Sequence, residues 1–194
     1  MKRICVFCGS KPGKRPEYLE AARDLGSAML ERGYGLVYGG ASVGLMSVIA
    51  DTVLEGDGEV IGVIPETLQQ REVAHTGLTE LHVVETMHER KALMASRSDA
   101  FIGMPGGYGT FEELFEVITW AQLGIHAKPV GLLNVEGYYD AFMALVDRAV
   151  EEDFIPVSHR GLVVIDATPE GLLAKLEAFE LPDLGRKWAE KKDI

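Results

Sequence analysis

Cysteine is scarce in this chain: 194 residues hold two, Cys5 and Cys8. No further cysteine completes a zinc set. On a strand, positions i and i+3 point to opposite faces, so these two sulfurs diverge and are expected as buried free thiols. Long apolar runs are missing as well. None approaches the ~18 residues of a membrane span. The apolar stretch behind Met1-Lys2-Arg3 ends at Gly9-Ser10, too short for the core of a signal peptide. A cytoplasmic protein with no membrane partner is expected. Positive charge is also short: 19 Lys and Arg stand against 30 Asp and Glu, a formal net charge of −11. That argues against broad nucleic-acid binding, which needs a positive surface. A small phosphorylated ligand remains open to a local basic cluster.

Several chemical signatures are absent. The histidines 75, 82, 88, 126 and 159 form no i, i+4 pair, so no metal site is expected. There is no G-x-S-x-G elbow and no phosphate loop ending in Gly-Lys-Ser/Thr. The dinucleotide fingerprint G-x-G-x-x-G fails at Glu112, and no acidic ribose partner stands near Leu133-Asn134. NAD is disfavoured, and no cofactor is expected.

What the chain does have is alternation. Apolar runs predict strands at 3–8, 35–38, 59–64, 81–85, 99–104, 128–133 and 161–165. Helical patterns fall between them at 16–32, 45–54, 87–98, 114–123 and 138–152, with a last helix after Thr168-Pro169. Ser42 is the expected cap of the second helix. Phe142, Leu145, Val146 and Ala149 form the expected apolar stripe of the fifth. Residues 65–79 read as a polar, irregular loop carrying Gln69, Gln70, Arg71, Glu72 and His75. Strand–helix alternation means βαβ units. The fold class is therefore α/β: a three-layer, Rossmann-like, doubly wound parallel sheet with helices on both faces. One domain is expected over 1–182, with a solvated tail at 183–194.

Ligands in such sheets bind at the carboxyl ends of strands. Two glycine-rich turns fall there, Gly39-Gly40-Ala41-Ser42-Val43-Gly44 and Pro105-Gly106-Gly107-Tyr108-Gly109. Glycines between a strand and a helix let the backbone approach a ligand, and a helix start offers free N–H groups to an anion. The second turn runs into Thr110-Phe111-Glu112-Glu113. A Thr followed three residues later by Glu is also a capping box, which would make Glu113 a helix-start device. Thr86-Met87-His88-Glu89 is a capping box too. It places Arg90 and Lys91 in a first helical turn, where cations oppose the dipole. They are either solvated surface charges or there to meet an anion.

The run Pro105–Glu113, of pattern P-G-G-x-G-T-x-x-E, resembles the LOG ("Lonely guy") family of cytokinin riboside 5′-monophosphate phosphoribohydrolases. Val6–Ser10, Gly39–Met46, Met87–Lys91 and Glu113–Pro129 match its other blocks, and the resemblance covers nearly all of residues 3–180. Ala41 departs from it, standing where many members have a third glycine. The family implies a modified Rossmann-like fold, a homodimer with the site near its interface, and metal-free cleavage of nucleoside 5′-monophosphates to base and ribose 5-phosphate. Members similar to AMP nucleosidases, and members labelled lysine decarboxylases, belong to it. No residue here supports a decarboxylase. Carried over by position, Arg90 and Glu113 are the expected catalytic pair. Glu72, Lys91, Glu112 and Thr119 are expected substrate contacts, with Gly106, Gly107, Tyr108, Gly109 and Thr110 from the turn. Ser10, Gly39 and Gly40 complete the expected binding set. The expected ligand is AMP or a cytokinin riboside monophosphate. A carrier that binds a nucleotide without turnover is the alternative.

Overall fold

A computed structural model describes residues 1–69 and 74–185. Seven described strands form a single parallel sheet: β1 (Arg3–Phe7), β2 (Gly35–Tyr38), β3 (Val60–Pro65), β4 (Glu80–Val84), β5 (Ala100–Gly103), β6 (Val130–Leu133) and β7 (Val163–Asp166). Their spatial order is β4-β3-β2-β1-β5-β6-β7. The chain winds outward from β1 to β4, returns to the other side of β1, and winds outward again. The switch point therefore lies between the carboxyl ends of β1 and β5, where open α/β sheets bind ligands.

Helices α1 (Glu17–Glu31), α2 (Gly44–Glu55) and α7 (Pro169–Glu177) cover one face. Helices α4 (Met87–Ser96), α5 (Tyr108–Gln122) and α6 (Asp140–Glu151) cover the other, and a short α3 (Glu66–Gln69) follows β3. β1 shows how the two layers arise. Ile4, Val6 and Cys8 point into one core while Cys5 and Phe7 point into the other. The cysteines are buried, free and in opposite layers, as their spacing predicts.

Four local expectations fail, wholly or in part, for identifiable reasons. α5 starts at Tyr108, not 114, because the turn is complete by Gly107, its extended N-cap residue. Gly109 and Thr110 lie inside the first turn of the helix. Ser42 is not the cap of α2; Val43 is, with no side-chain bond, and the Gly9 carbonyl accepts the Leu45 N–H at 3.0 Å instead. α6 starts late because Asn134 Oδ1 accepts the Tyr139 N–H at 2.7 Å and holds a 3-10 turn, Val135–Gly137. Its expected stripe holds in part: Phe142 packs against the core and Val146 and Ala149 are half-buried, but Leu145 is 61% exposed and Met143 is buried instead. Residues 186–194, most of the expected tail, lie outside the described residues.

Gly44 fixes the crevice. Its φ is +59°, and a Cβ there would sit 2.3 Å from the Ser10 carbonyl carbon. Only glycine lets the α2 start close against the β1 loop.

One half-buried group makes the fold acid-sensitive. His126 donates Nε2–H to the Val117 carbonyl at 2.9 Å and accepts the Lys128 N–H on Nδ1 at 3.1 Å. The bond from Lys128 requires the neutral ring, because a protonated Nδ1 cannot accept; the bond to Val117 survives in either charge state. Burial pushes it from 6.5 down to about 4, against the pull of the Val117 carbonyl. Because the folded value is the lower one, this stability is complete above pH 6.5 and is lost as pH falls towards about 4. A melting-temperature profile across that window should slope downward with acid, and His126→Gln should flatten the slope.

Candidate active site

The site is built on α4. Its capping box forms as the sequence predicts: Thr86 Oγ1 accepts the Glu89 N–H at 3.1 Å, and Glu89 Oε2 accepts the Thr86 N–H at 3.3 Å. Glu89 is thereby a structural residue. Arg90 follows and turns inward. It is 7% exposed. Its Nε donates to the Val63 carbonyl at 3.0 Å, its Nη2 to the Gly39 carbonyl at 3.4 Å, and its Nη1 to Glu113 Oε1 at 3.0 Å. The solvated-charge reading of Arg90 is therefore excluded, and so is the capping-box reading of Glu113. Thr110 is third in the helix rather than its cap, and the Glu113 carboxylate faces a guanidinium on another helix. Gly39 makes this possible, since a Cβ there would lie 2.2 Å from Arg90 Nη2.

A cavity of about 210 Å³ opens over this pair at the switch point. It gathers Ser10, Gly39, Arg90, Gly107, Tyr108, Gly109, Thr110 and Glu113 from the sequence-predicted set. Both glycine-rich turns thus meet at one crevice. The start of α5 forms one wall. No side chain caps it and no acid stands in its first turn, so its first amides and the positive end of its dipole face the cavity unopposed. A Cβ on Gly107 or Gly109 would meet nothing within 4 Å. Packing within the chain does not explain glycine at either place, and Gly109 costs its helix about 1 kcal/mol relative to Ala. The space beside both is open to a ligand.

The other expected residues lie elsewhere. Gly106 lines a neighbouring cavity of about 390 Å³, which shares Gly9, Ser10 and Gly107 with the first. Gly40 sits behind the wall at φ +75°, its carbonyl accepting the His75 N–H at 3.0 Å. Lys91 is buried, but it turns to Glu112 Oε1 at 2.5 Å and Glu116 Oε1 at 3.0 Å. Burial works to lower its pKa, but the two carboxylates outweigh it and hold the ammonium above its usual value. Thr119 is exposed on the outer face of α5, its hydroxyl donating to the Phe115 carbonyl at 2.6 Å. Glu72 lies outside the described residues.

Six wall residues lie outside the predicted site set: Val6, Phe7, Cys8, Gly9, Met46 and Met94. Met94 was legible in principle, lying four residues after Arg90 on the same helical face. The Cys8 thiol is pushed well above its ordinary value by burial and by the Glu113 charge. It stays protonated and is no nucleophile. Among the described residues no lysine lines the Glu113 cavity, which leaves a Schiff-base amine without a candidate.

Comparison with known proteins adds to this geometry. A family model described as "Possible lysine decarboxylase" matches residues 46–176. A curated rice protein (Oryza sativa subsp. japonica), "Probable cytokinin riboside 5'-monophosphate phosphoribohydrolase LOGL6", is 56% identical over 92% of this chain and 71% of its own length. The Arabidopsis thaliana "Cytokinin riboside 5'-monophosphate phosphoribohydrolase LOG3" is 54% identical over 92% of this chain and 83% of its own. The chain belongs to the LOG family. Among solved structures, the molybdenum cofactor carrier protein of Chlamydomonas reinhardtii superposes with a TM-score of 0.69 at 23% identity, covering 91% of this chain and 96% of that one. At that identity it shares the fold alone.

In this LOG-family chain the Arg90–Glu113 pair is almost closed to water, with 8% and 9% of the two side chains exposed. Removing one partner strands a buried charge, while removing both does not. Arg90→Ala should lose about 3–5 kcal/mol in urea unfolding, and Arg90→Met/Glu113→Met should recover most of that.

Proposed function

We infer that this protein hydrolyses the N-glycosidic bond of a nucleoside 5′-monophosphate, releasing the free base and ribose 5-phosphate. The observation that carries the reading is a buried carboxylate, Glu113, sharing one cavity with an uncapped helix start. The family's curated members, named as phosphoribohydrolases, support the reaction class.

The chemistry follows from what each group can do. The phosphate rests on the amides that open α5. Anchored there, the ribose presents its anomeric carbon to Glu113. As the bond to the base breaks, C1′ gains positive character, which the Glu113 carboxylate stabilises. Water then adds its hydroxide to C1′. Glu113 accepts the water's other proton, and that proton, passed on through solvent, ends on the freed nitrogen of the departing base and leaves Glu113 ionised again. Arg90 is always protonated and cannot be a base. It holds Glu113 in place and supplies the positive charge that lets a carboxylate sit near a phosphate.

The base is adenine or its isoprenoid-substituted form. Met46 and Met94 give the cavity adaptable apolar walls suited to either. The same reading includes a cytoplasmic homodimer with one nucleotide-binding domain over 1–182. Phe115 is 44% exposed and packs at a tilt against Phe142, on the face of α5 that also presents Glu112 and Thr119. A second copy seated there would enclose those two expected contacts.

Anchoring through the phosphate predicts strong discrimination, because remote binding energy is used for positioning. Wild-type protein incubated with AMP should release adenine, and adenosine should be cleaved at least about a hundredfold less efficiently. Glu113→Gln should lower kcat on AMP by about 10²-fold or more. A protein that binds AMP and frees no adenine is a carrier. A Glu113→Gln variant near wild-type rate contradicts the assignment.

A further inference from the structure

Tyr138 and Tyr139 belong to none of the motifs that point to the site, yet both hydroxyls reach the turn between β5 and α5. Tyr139 Oη donates to the Met104 carbonyl at 2.6 Å, and Tyr138 Oη donates to the Gly106 carbonyl. The segment that carries them is itself fixed. Asn134 Oδ1 accepts the Tyr139 N–H, and Asn134 Nδ2 donates to Asp140 Oδ1 at 2.8 Å. The Tyr138 ring packs edge-on to Tyr18 at 5.9 Å and alongside Phe111 at 6.5 Å. Its hydroxyl has little freedom to wander.

The two bonds act on different peptides. The Met104 carbonyl shares its peptide with the Pro105 nitrogen, which carries no hydrogen. The Gly106 carbonyl shares its peptide with the Gly107 N–H, at the N-cap of α5. A carbonyl that accepts a hydrogen bond polarises its amide and strengthens the N–H as a donor. In a trans peptide the C=O and N–H point opposite ways. Holding the carbonyl towards Tyr138, a wall of the larger cavity, turns the Gly107 N–H away from it. Gly107 also lines the Glu113 cavity.

Something must hold this peptide, because glycine on both sides lets it rotate cheaply. Neither glycine can be replaced to stiffen it. A Cβ on Gly106 would lie 2.1 Å from Thr110 Oγ1, and one on Gly107 would project into the open space kept for the ligand. We propose that Tyr138 is a positioning residue for the anion seat: its hydroxyl locks the Gly106–Gly107 peptide so that the Gly107 N–H is presented to the 5′-phosphate. The proposal rests on the reading that this cavity takes a nucleoside 5′-monophosphate.

Calorimetric titration with ribose 5-phosphate, AMP kinetics and thermal melting of wild type, Tyr138→Phe and Tyr139→Phe test it. Tyr138→Phe should weaken ribose 5-phosphate binding and raise the KM for AMP about three- to tenfold, with kcat and melting temperature near wild type. Tyr139→Phe strands a buried carbonyl that has no N–H to pass the effect on. It should lower the melting temperature and leave ribose 5-phosphate affinity within about twofold. Tyr138→Phe binding ribose 5-phosphate like wild type overturns the proposal. So does Tyr139→Phe weakening that binding equally. A wild type that neither binds ribose 5-phosphate nor cleaves AMP overturns the reading beneath it, and the positioning role with it.

Discussion

The interaction on which the structure turns is the ion pair between Arg90 and Glu113. A guanidinium and a carboxylate taken out of water cost several kcal/mol each to desolvate, and their attraction repays this only with good geometry and further hydrogen bonds. Those bonds are present. Arg90 also donates to the Val63 and Gly39 carbonyls, so one side chain ties together β3, the turn after β2, α4 and α5. Hydrophobic residues at these positions would stabilise the fold as well or better. Retaining the pair makes sense when the carboxylate has chemistry to do.

The second constraint arises in the proposed reading, where an anion would share one small cavity with a carboxylate. Repulsion between them would defeat binding unless positive charge offsets it. Arg90 supplies one part and the start of α5 the other. The proposed division of work is by position: the first turn of α5 would meet the phosphate, while Glu113 lies one turn further in. Glycine is the device that recurs. Gly39 clears space for the guanidinium, Gly44 brings α2 against the β1 loop, and Gly107 with Gly109 leaves open space beside the start of α5.

Much of this was legible in the sequence. The apolar runs place all seven strands to within two or three residues, and the alternation with helices gives a doubly wound sheet. Both glycine turns fall where ligands bind. Cations at the wrong end of α4 were a true signal at Arg90, because that residue is buried for a reason the helix alone does not supply. The misreadings have a common source. Sequence patterns specify a motif but not its register. Thr110 and Glu113 have capping-box spacing, yet the helix is already under way. Ser42 has a capping side chain, yet a carbonyl from β1's loop does the work. Leu145 fits the period of α6 and faces outward. Nor does spacing reveal that Arg90 and Glu113 meet, since that contact depends on two helices packing side by side on one face of the sheet.

Amide chemical shifts under titration with ribose 5-phosphate test the central claim most directly. The account predicts that the largest downfield proton shifts fall on Gly107, Gly109 and Thr110, with the Arg90 guanidinium protons perturbed in the same titration. Saturation with those three amides unmoved, or with the largest shifts on the opposite edge of the sheet, would contradict it.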